Sequence, residues 1–222
     1  MIQVFHVSKY YDSRPALSDV NLQIDKGEFV LLSGPSGAGK TTLLKLLFCA
    51  ERPDTGQVLI QGRNTARIRP WEVPYLRRTI GVVFQDFRLL PKKSVFENVA
   101  LPLVVQGAST FDIRLKVMEA LKAVGAEHKI EARPMTLSAG EQQRVCIARA
   151  IVNAPMILLA DEPTGNLDSE LANEINELFK GINARGTTVM VATHNRQVME
   201  QAHCRVVSLN QGMLVTNEES HQ

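Results

Sequence analysis

Hydrophobic and polar positions change period several times along the chain. Residues 2–7 and 20–24 are short, partly alternating segments that read as strands. Residues 29–33 form a continuous apolar run, the mark of a strand buried on both faces. That run passes into a glycine-rich turn at 34–39 and then a helical stretch at 40–50. Residues 58–60 and 80–84 read as further strands. From 87 to 153 the period becomes helical. Residues 112–124 place apolar side chains at Ile113, Leu115, Val117, Leu121 and Val124, and a second helix at 141–152 follows a break at Pro134. Buried-strand runs return at 156–160 and 188–192, with a helix at 169–183 between them. Asn210-Gln211-Gly212 is a turn between two final strands. Strands with intervening helices argue for an α/β fold with a mostly parallel sheet. Residues 1–222 read as one domain, with a helical lobe at 87–153 inserted into it.

Composition narrows the function classes. Apolar residues make up 45% of the 222 positions, enough for a sizeable core. The net charge of +2 does not point to DNA or RNA as a partner. Cys49, Cys146 and Cys204 are far apart and form no metal or redox spacing, which suits a reducing compartment. The N-terminal residues hold no apolar stretch of signal-peptide length. The longest apolar run, 99–105, is seven residues, where a membrane span needs about 20. The expectation is a cytoplasmic chain whose membrane role, if any, needs another protein.

Gly34-Pro35-Ser36-Gly37-Ala38-Gly39-Lys40-Thr41 has the spacing of a phosphate-binding loop, placed after a buried strand and before a helix. Glycines let successive N–H groups point inward at an anion, and the helix presents its positive end to the same place. Residues Gly34 to Thr42 are therefore the candidate nucleotide contacts. Lys40 would reach the β- and γ-phosphates, and the Thr41 hydroxyl would ligate Mg²⁺. A second buried strand ends in Asp161-Glu162. Asp161 suits a magnesium ion held through its water shell, and Glu162 suits a base for an attacking water. Leu137-Ser138-Ala139-Gly140-Glu141 sets a serine and a glycine at a helix start. On its own this stretch reads as an N-cap with capping-box spacing.

Taken in order, the phosphate loop, Gln85, Leu137–Glu141, the 158–162 segment, Asn166-Leu167-Asp168 and His194 resemble the ABC ATPase family over nearly the whole chain. The resemblance implies a P-loop NTPase core of the ABC ATPase type, with an antiparallel β subdomain and an inserted helical subdomain. It implies that Gln85 touches Mg²⁺ and the attacking water. Ser138 and Gly140 would close over the γ-phosphate bound on a second subunit, so the chain would form a homodimer on ATP. Asp168 would belong to the loop joining the two sites, His194 would contact the γ-phosphate, and Tyr11 would stack on adenine, with Tyr10 the competing choice. Two positions depart from the family pattern: Ala139, usually glycine, and Glu141, usually glutamine. An alanine held at positive φ would cost about 1–2 kcal/mol and weaken closure between subunits.

A narrower resemblance lies in 161–168, similar to the branch with lipoprotein-release, macrolide-export and cell-division ATPases. Residues 72–78 and 80–86 are most similar to the cell-division members. This implies an FtsX-like integral membrane partner, peripheral attachment to the cytoplasmic face of the inner membrane, control of septal cell-wall hydrolysis and no nucleic-acid partner. The alternatives are a transporter motor of the lipoprotein-release or macrolide-export type, and a soluble non-membrane ABC ATPase. Residues 85–105 are the expected docking surface, with Leu89, Leu90, Val95, Val99, Leu101 and Leu103 as a candidate groove. Residues 63–93 carry eight basic residues against Glu72 and Asp86. This excess reads as a solvated face, or as one near anionic lipid or an acidic partner loop.

Overall fold

The computed structural model describes residues 1–195 and 204–218. Two sheets form its frame. The first is antiparallel, in the order β2 (Arg14–Ile24), β1 (Ile2–Tyr11), β4 (Thr55–Ile60), β5 (Arg63–Asn64). The second runs β10 (Met213–Glu218), β9 (Arg205–Asn210), β3 (Phe29–Ser33), β8 (Thr188–Thr193), β7 (Ile157–Asp161), β6 (Ile80–Val83). It is parallel except for the final β9–β10 pair. The mixed α/β architecture is the one expected, with the antiparallel sheet present as a separate layer.

The buried runs explain why the central strands pair as they do. Along β3, Val30 and Leu32 face the core shared with the antiparallel sheet, while Leu31 faces the helices. Along β7, Ile157 and Leu159 face the first core, and Leu158 and Ala160 the second. In β8, Met190 and Ala192 alternate with Val189 and Val191 in the same way. A period of two with apolar residues on both faces commits a strand to the middle of a covered sheet. α1 (Lys40–Leu47) fills the first core with Leu43, Leu44, Leu46 and Leu47. The second core is covered by α3 (Val95–Val105), α4 (Thr110–Ala123), α5 (Ala139–Ile151) and α6 (Ser169–Ala184).

Four points differ from the sequence reading. The first two strands are longer than 2–7 and 20–24 and form a hairpin. Its turn, Asp12-Ser13, holds both residues at positive φ (47° and 65°), which suits the twist of a tight hairpin. A short helix, α2 (Val73–Arg77), and the two-residue β5 carry too little periodicity to be read from sequence. Residues 87–94 are not helical; α3 begins at Val95, capped by Ser94. Side chains there take over the main-chain hydrogen bonds that a helix would have made. Asn98, fully buried, accepts from the Leu90 amide at 2.7 Å and donates to the Leu90 and Ser94 carbonyls at 3.1 and 2.9 Å. α5 also starts earlier than 141, at Ala139.

Candidate active site

The sheet places its chemistry at the C-terminal ends of β3, β6, β7 and β8. After Ser33 the chain turns through residues 34–39. Gly34 (φ 150°) lies so close to β9 that a Cβ would stand 2.3 Å from the Leu209 carbonyl oxygen. A Cβ on Gly39 (φ 105°) would stand 2.5 Å from that of Ala16. Both positions therefore need glycine for space as well as for conformation. Gly39 is the N-cap of α1 with no side-chain cap, which leaves the first amides of that helix to the loop mouth. Pro35, Ser36, Gly37 and Thr41 are exposed there, Thr42 is half-buried and Ala38 is buried beneath them.

Lys40 is only 6% exposed. Its Nζ donates to the carbonyls of Gly34 and Pro35 at 2.7 and 3.1 Å and lies 3.3 Å from Glu162 Oε1. Glu162 in turn places Oε2 2.6 Å from His194 Nδ1. The Glu162 backbone sits in the left-handed region (φ 48°), tied by its amide to the Ala192 carbonyl of β8 at 2.9 Å. Such a backbone costs about 1–3 kcal/mol and persists where the surroundings enforce it. The strands thus bring Lys40, Glu162 and His194, from three distant segments, into one charged cluster.

Thr41, Gln85 and Asp161 line one cavity of about 270 Å³. Burial pushes the Asp161 carboxyl above the usual carboxylate range; the neighbouring Thr41 hydroxyl opposes the shift, and the neighbouring Glu162 charge adds to it. Asp161 Oδ1 is buried without a hydrogen-bond partner. A buried carboxylate oxygen without a partner, in a cavity also lined by a threonine and a glutamine, offers hard oxygen donors, which fits a magnesium ion.

The remaining candidates stand apart from this cluster. The Tyr11 hydroxyl donates to Glu51 Oε2, and Lys9 Nζ lies 5.7 Å from its ring centre. Burial and the Glu51 carboxylate push the Tyr11 hydroxyl up to about 12, so it stays a donor. The Tyr10 amide is held by Asp54 at 2.7 Å. Asp168 caps α6, accepting from the Leu171 amide at 2.9 Å. Ser138 caps α5 in a reciprocal box: its hydroxyl accepts from the Glu141 amide at 3.3 Å, and its amide donates to Glu141 Oε2 at 2.8 Å. Among the described residues, no hydrogen bond or ion pair joins Ser138 or Gly140 to the phosphate loop. A Cβ on Gly140 would meet the Leu171 side chain at 3.3 Å, so the starts of α5 and α6 pack closely.

The expected strain at Ala139 is absent. It is the first residue of α5 and is not among the positive-φ positions. The expected groove also changes membership. Val95, Val99 and Leu103 are core residues, Leu89 packs against that core, and Leu90 is exposed and does not line the groove formed by Leu101, Pro102 and Val105. A groove of about 580 Å³ runs between Phe48, Pro74, Arg77, Arg78 and Phe84 on one side and Leu101, Pro102 and Val105 of α3 on the other.

Two supporting residues were not singled out from sequence. Glu51 anchors Tyr11 from forty positions away. Arg149, in α5, holds the chain just beyond Gln85 through the carbonyls of Phe87 and Arg88. Its signal was a lone arginine among apolar helix neighbours.

Residues 17–165 match the family model described as ABC transporter. The cell division ATP-binding protein FtsE of Mycobacterium tuberculosis is 51% identical over 221 residues, covering 99% of this chain and 96% of that protein. FtsE of Escherichia coli K12 is 48% identical over 215 residues, with 96% and 97% covered. Among solved structures, the dimeric ABC transporter cassette MJ0796 superposes with a TM-score of 0.92 at 39% identity. Its post-hydrolysis dimer bound to ADP and Pi gives 0.91 at 38%; both matches cover 100% of each chain. The protein described here belongs to the ABC transporter family, as an ATP-binding and ATP-hydrolysing cassette.

Proposed function

We propose that this cassette dimerises on ATP and drives an FtsX-like integral membrane protein in cell division, from the cytoplasmic face of the membrane. The observation that carries the reading is the cluster of Lys40, Glu162 and His194 beside the Thr41–Gln85–Asp161 cavity, in a chain similar over nearly its whole length to cell-division ATP-binding proteins. The reading treats residues 1–222 as one ATPase domain with 87–153 as its helical subdomain.

In this reading the loop amides of residues 34–42 and the Lys40 ammonium bind the β- and γ-phosphates. Mg²⁺ would sit between Thr41, Gln85 and Asp161 and neutralise charge on those phosphates. Glu162 accepts the proton of the attacking water, and His194, hydrogen-bonded to it, holds the carboxylate in place and contacts the γ-phosphate. The Tyr11 ring, fixed at its hydroxyl by Glu51, stacks on adenine; among the described residues the Tyr10 hydroxyl has no such hydrogen bond. Ser138 and Gly140 at the start of α5 meet the γ-phosphate held by a second copy. The dimeric form of the similar cassette MJ0796 supports this arrangement. The groove between α3 and the 74–84 segment receives a cytoplasmic segment of the membrane partner. Because Gln85 follows directly on that groove, ATP binding and partner movement are coupled.

Replacing the protein in dividing cells with its Glu162→Gln variant tests the reading. The variant should retain ATP, hydrolyse it about 10²–10⁴-fold more slowly, accumulate as a dimer and block septation. Normal septation with hydrolysis abolished would remove the division role.

A further inference from the structure

The segment linking β5 to β6 is pinned to the body at two points. Ile68 and Leu76 are buried in the core beneath the antiparallel sheet. With those two side chains inward, Arg67, Arg69, Trp71 and Tyr75 are turned out; Trp71 is 63% exposed and Tyr75 60%. The outward groups are paired. The Arg69 guanidinium lies 5.2 Å from the Trp71 ring centre, and that of Arg78 lies 4.7 Å from Tyr75. A third pair, Arg88 over Phe84 at 4.0 Å, lies instead at the Thr41–Gln85–Asp161 cavity.

The charge of this segment is concentrated, and little of it meets a carboxylate among the described residues. Residues 63–93 hold eight basic residues and only Glu72 and Asp86, while the whole chain is +2, so the rest of the protein is net acidic. Glu72 is occupied locally, accepting from the Arg69 amide at 3.0 Å. Arg77 is turned onto the Phe48 and Cys49 carbonyls. Of the eight, Lys93 is the one with a carboxylate ion-pair partner among the described residues. Arg63, Arg67, Arg69, Arg88 and Lys92 are exposed, and Arg78 is half-buried.

We propose that this face, centred on Arg67, Arg69, Trp71 and Tyr75, binds an anionic lipid surface directly. Guanidinium groups match headgroup phosphates in geometry and charge. Exposed tryptophan and tyrosine rings suit the headgroup layer, where one edge is apolar and the other wet. A basic surface is drawn to the negative cytoplasmic leaflet. The location agrees: Pro74, Arg77 and Arg78 of the same segment form one wall of the groove. If that groove receives a membrane protein, this rim faces the bilayer. The inference rests on the proposed membrane-partner role for that orientation alone, because lipid binding needs no partner.

The test uses the purified full chain without any membrane protein, sedimented with vesicles of equal parts phosphatidylglycerol and phosphatidylethanolamine, and with phosphatidylcholine vesicles. The wild type should bind the first and not the second, and lose binding as salt is raised. Each basic side chain near such a surface is worth about fivefold, so Arg67→Glu with Arg69→Glu should weaken binding roughly twentyfold or more. Trp71→Ala should weaken it further, while Arg185→Glu, a charge reversal elsewhere, should not. None of these residues lines the groove or the ATP site, so hydrolysis and melting should stay at wild-type values. Absence of binding by the wild type, equal binding to both vesicles, or unchanged binding by the double variant overturns the proposal. Unaltered vesicle binding with lost co-purification of the detergent-solubilised membrane partner also overturns it, and assigns the face to an acidic protein segment.

Discussion

Arg149 of α5 donates to the carbonyl of Phe87 at 2.7 Å, two residues beyond Gln85, and to that of Arg88 at the same distance. The Cys146 thiol, pushed up to about 12 by burial and so kept protonated, donates to the same Phe87 carbonyl at 3.0 Å. The helix capped by Ser138 therefore grips the segment that leaves Gln85. Arg149→Ala should leave the Arg88 carbonyl without its protein partner and cost about 1–3 kcal/mol in urea unfolding. ATP hydrolysis should fall more than ATP affinity, because the gripped segment positions Gln85. Wild-type stability and rate in the variant would show the grip to be dispensable.

Ala139 sits in the first turn of a capped helix with an ordinary backbone, so the departure from glycine carries no strain. Ala139→Gly should not promote ATP-dependent dimerisation. It should instead weaken the helix start by about 0.5 kcal/mol. Light scattering with ATP and a thermal melt on one sample decide the matter; tighter dimerisation of the glycine variant would restore the strain argument.

Glu141, the other departure, carries a charge that glutamine lacks. Hydrogen bonds from the Ser138 amide and from Lys129 hold its carboxyl below the usual carboxylate range. A group with a lowered folded-state pKa stabilises the fold above its unfolded value and loses that contribution as pH falls through the folded one. Glu141→Gln should therefore destabilise by about 0.5 kcal/mol near neutrality, a small figure because the pair is partly exposed and screened. The gap between variant and wild type should close in acid, below the ordinary glutamate value of 4.5. A gap that persists there would place the effect in packing.

Val105 lines the groove and is 71% exposed, so a charge at this position leaves the core untouched. Val105→Asp should keep its melting temperature and basal ATP hydrolysis but lose co-purification with the membrane partner. Leu90→Asp should have little effect on docking, since Leu90 is not a groove residue. Retained co-purification by the Val105 variant would move the docking surface elsewhere.

The parallel sheet and the ATP chemistry were legible in the chain because both depend on neighbours in sequence. Buried strands announce themselves as runs such as 29–33 and 156–160, and the phosphate loop needs glycines at fixed spacing before a helix. Ser138 with Glu141 was likewise a local signal, since a capping box closes within three residues. What the chain could not declare was which apolar residues face inward between 87 and 105. There, Asn98, Cys146 and Arg149 satisfy backbone groups from a distance, so residues 87–94 stay out of helix and α3 rotates Val95, Val99 and Leu103 into the core. The groove is equally nonlocal, built from Phe48, Phe84 and Val105 on three separate elements. The hydrogen bond from the Tyr11 hydroxyl to Glu51 is nonlocal as well, made by the packing of the antiparallel sheet on α1. Local spacing determined the motifs, because they close within a turn or a strand; only tertiary packing decided exposure, long-range anchors and grooves, because these depend on residues that the sequence holds far apart.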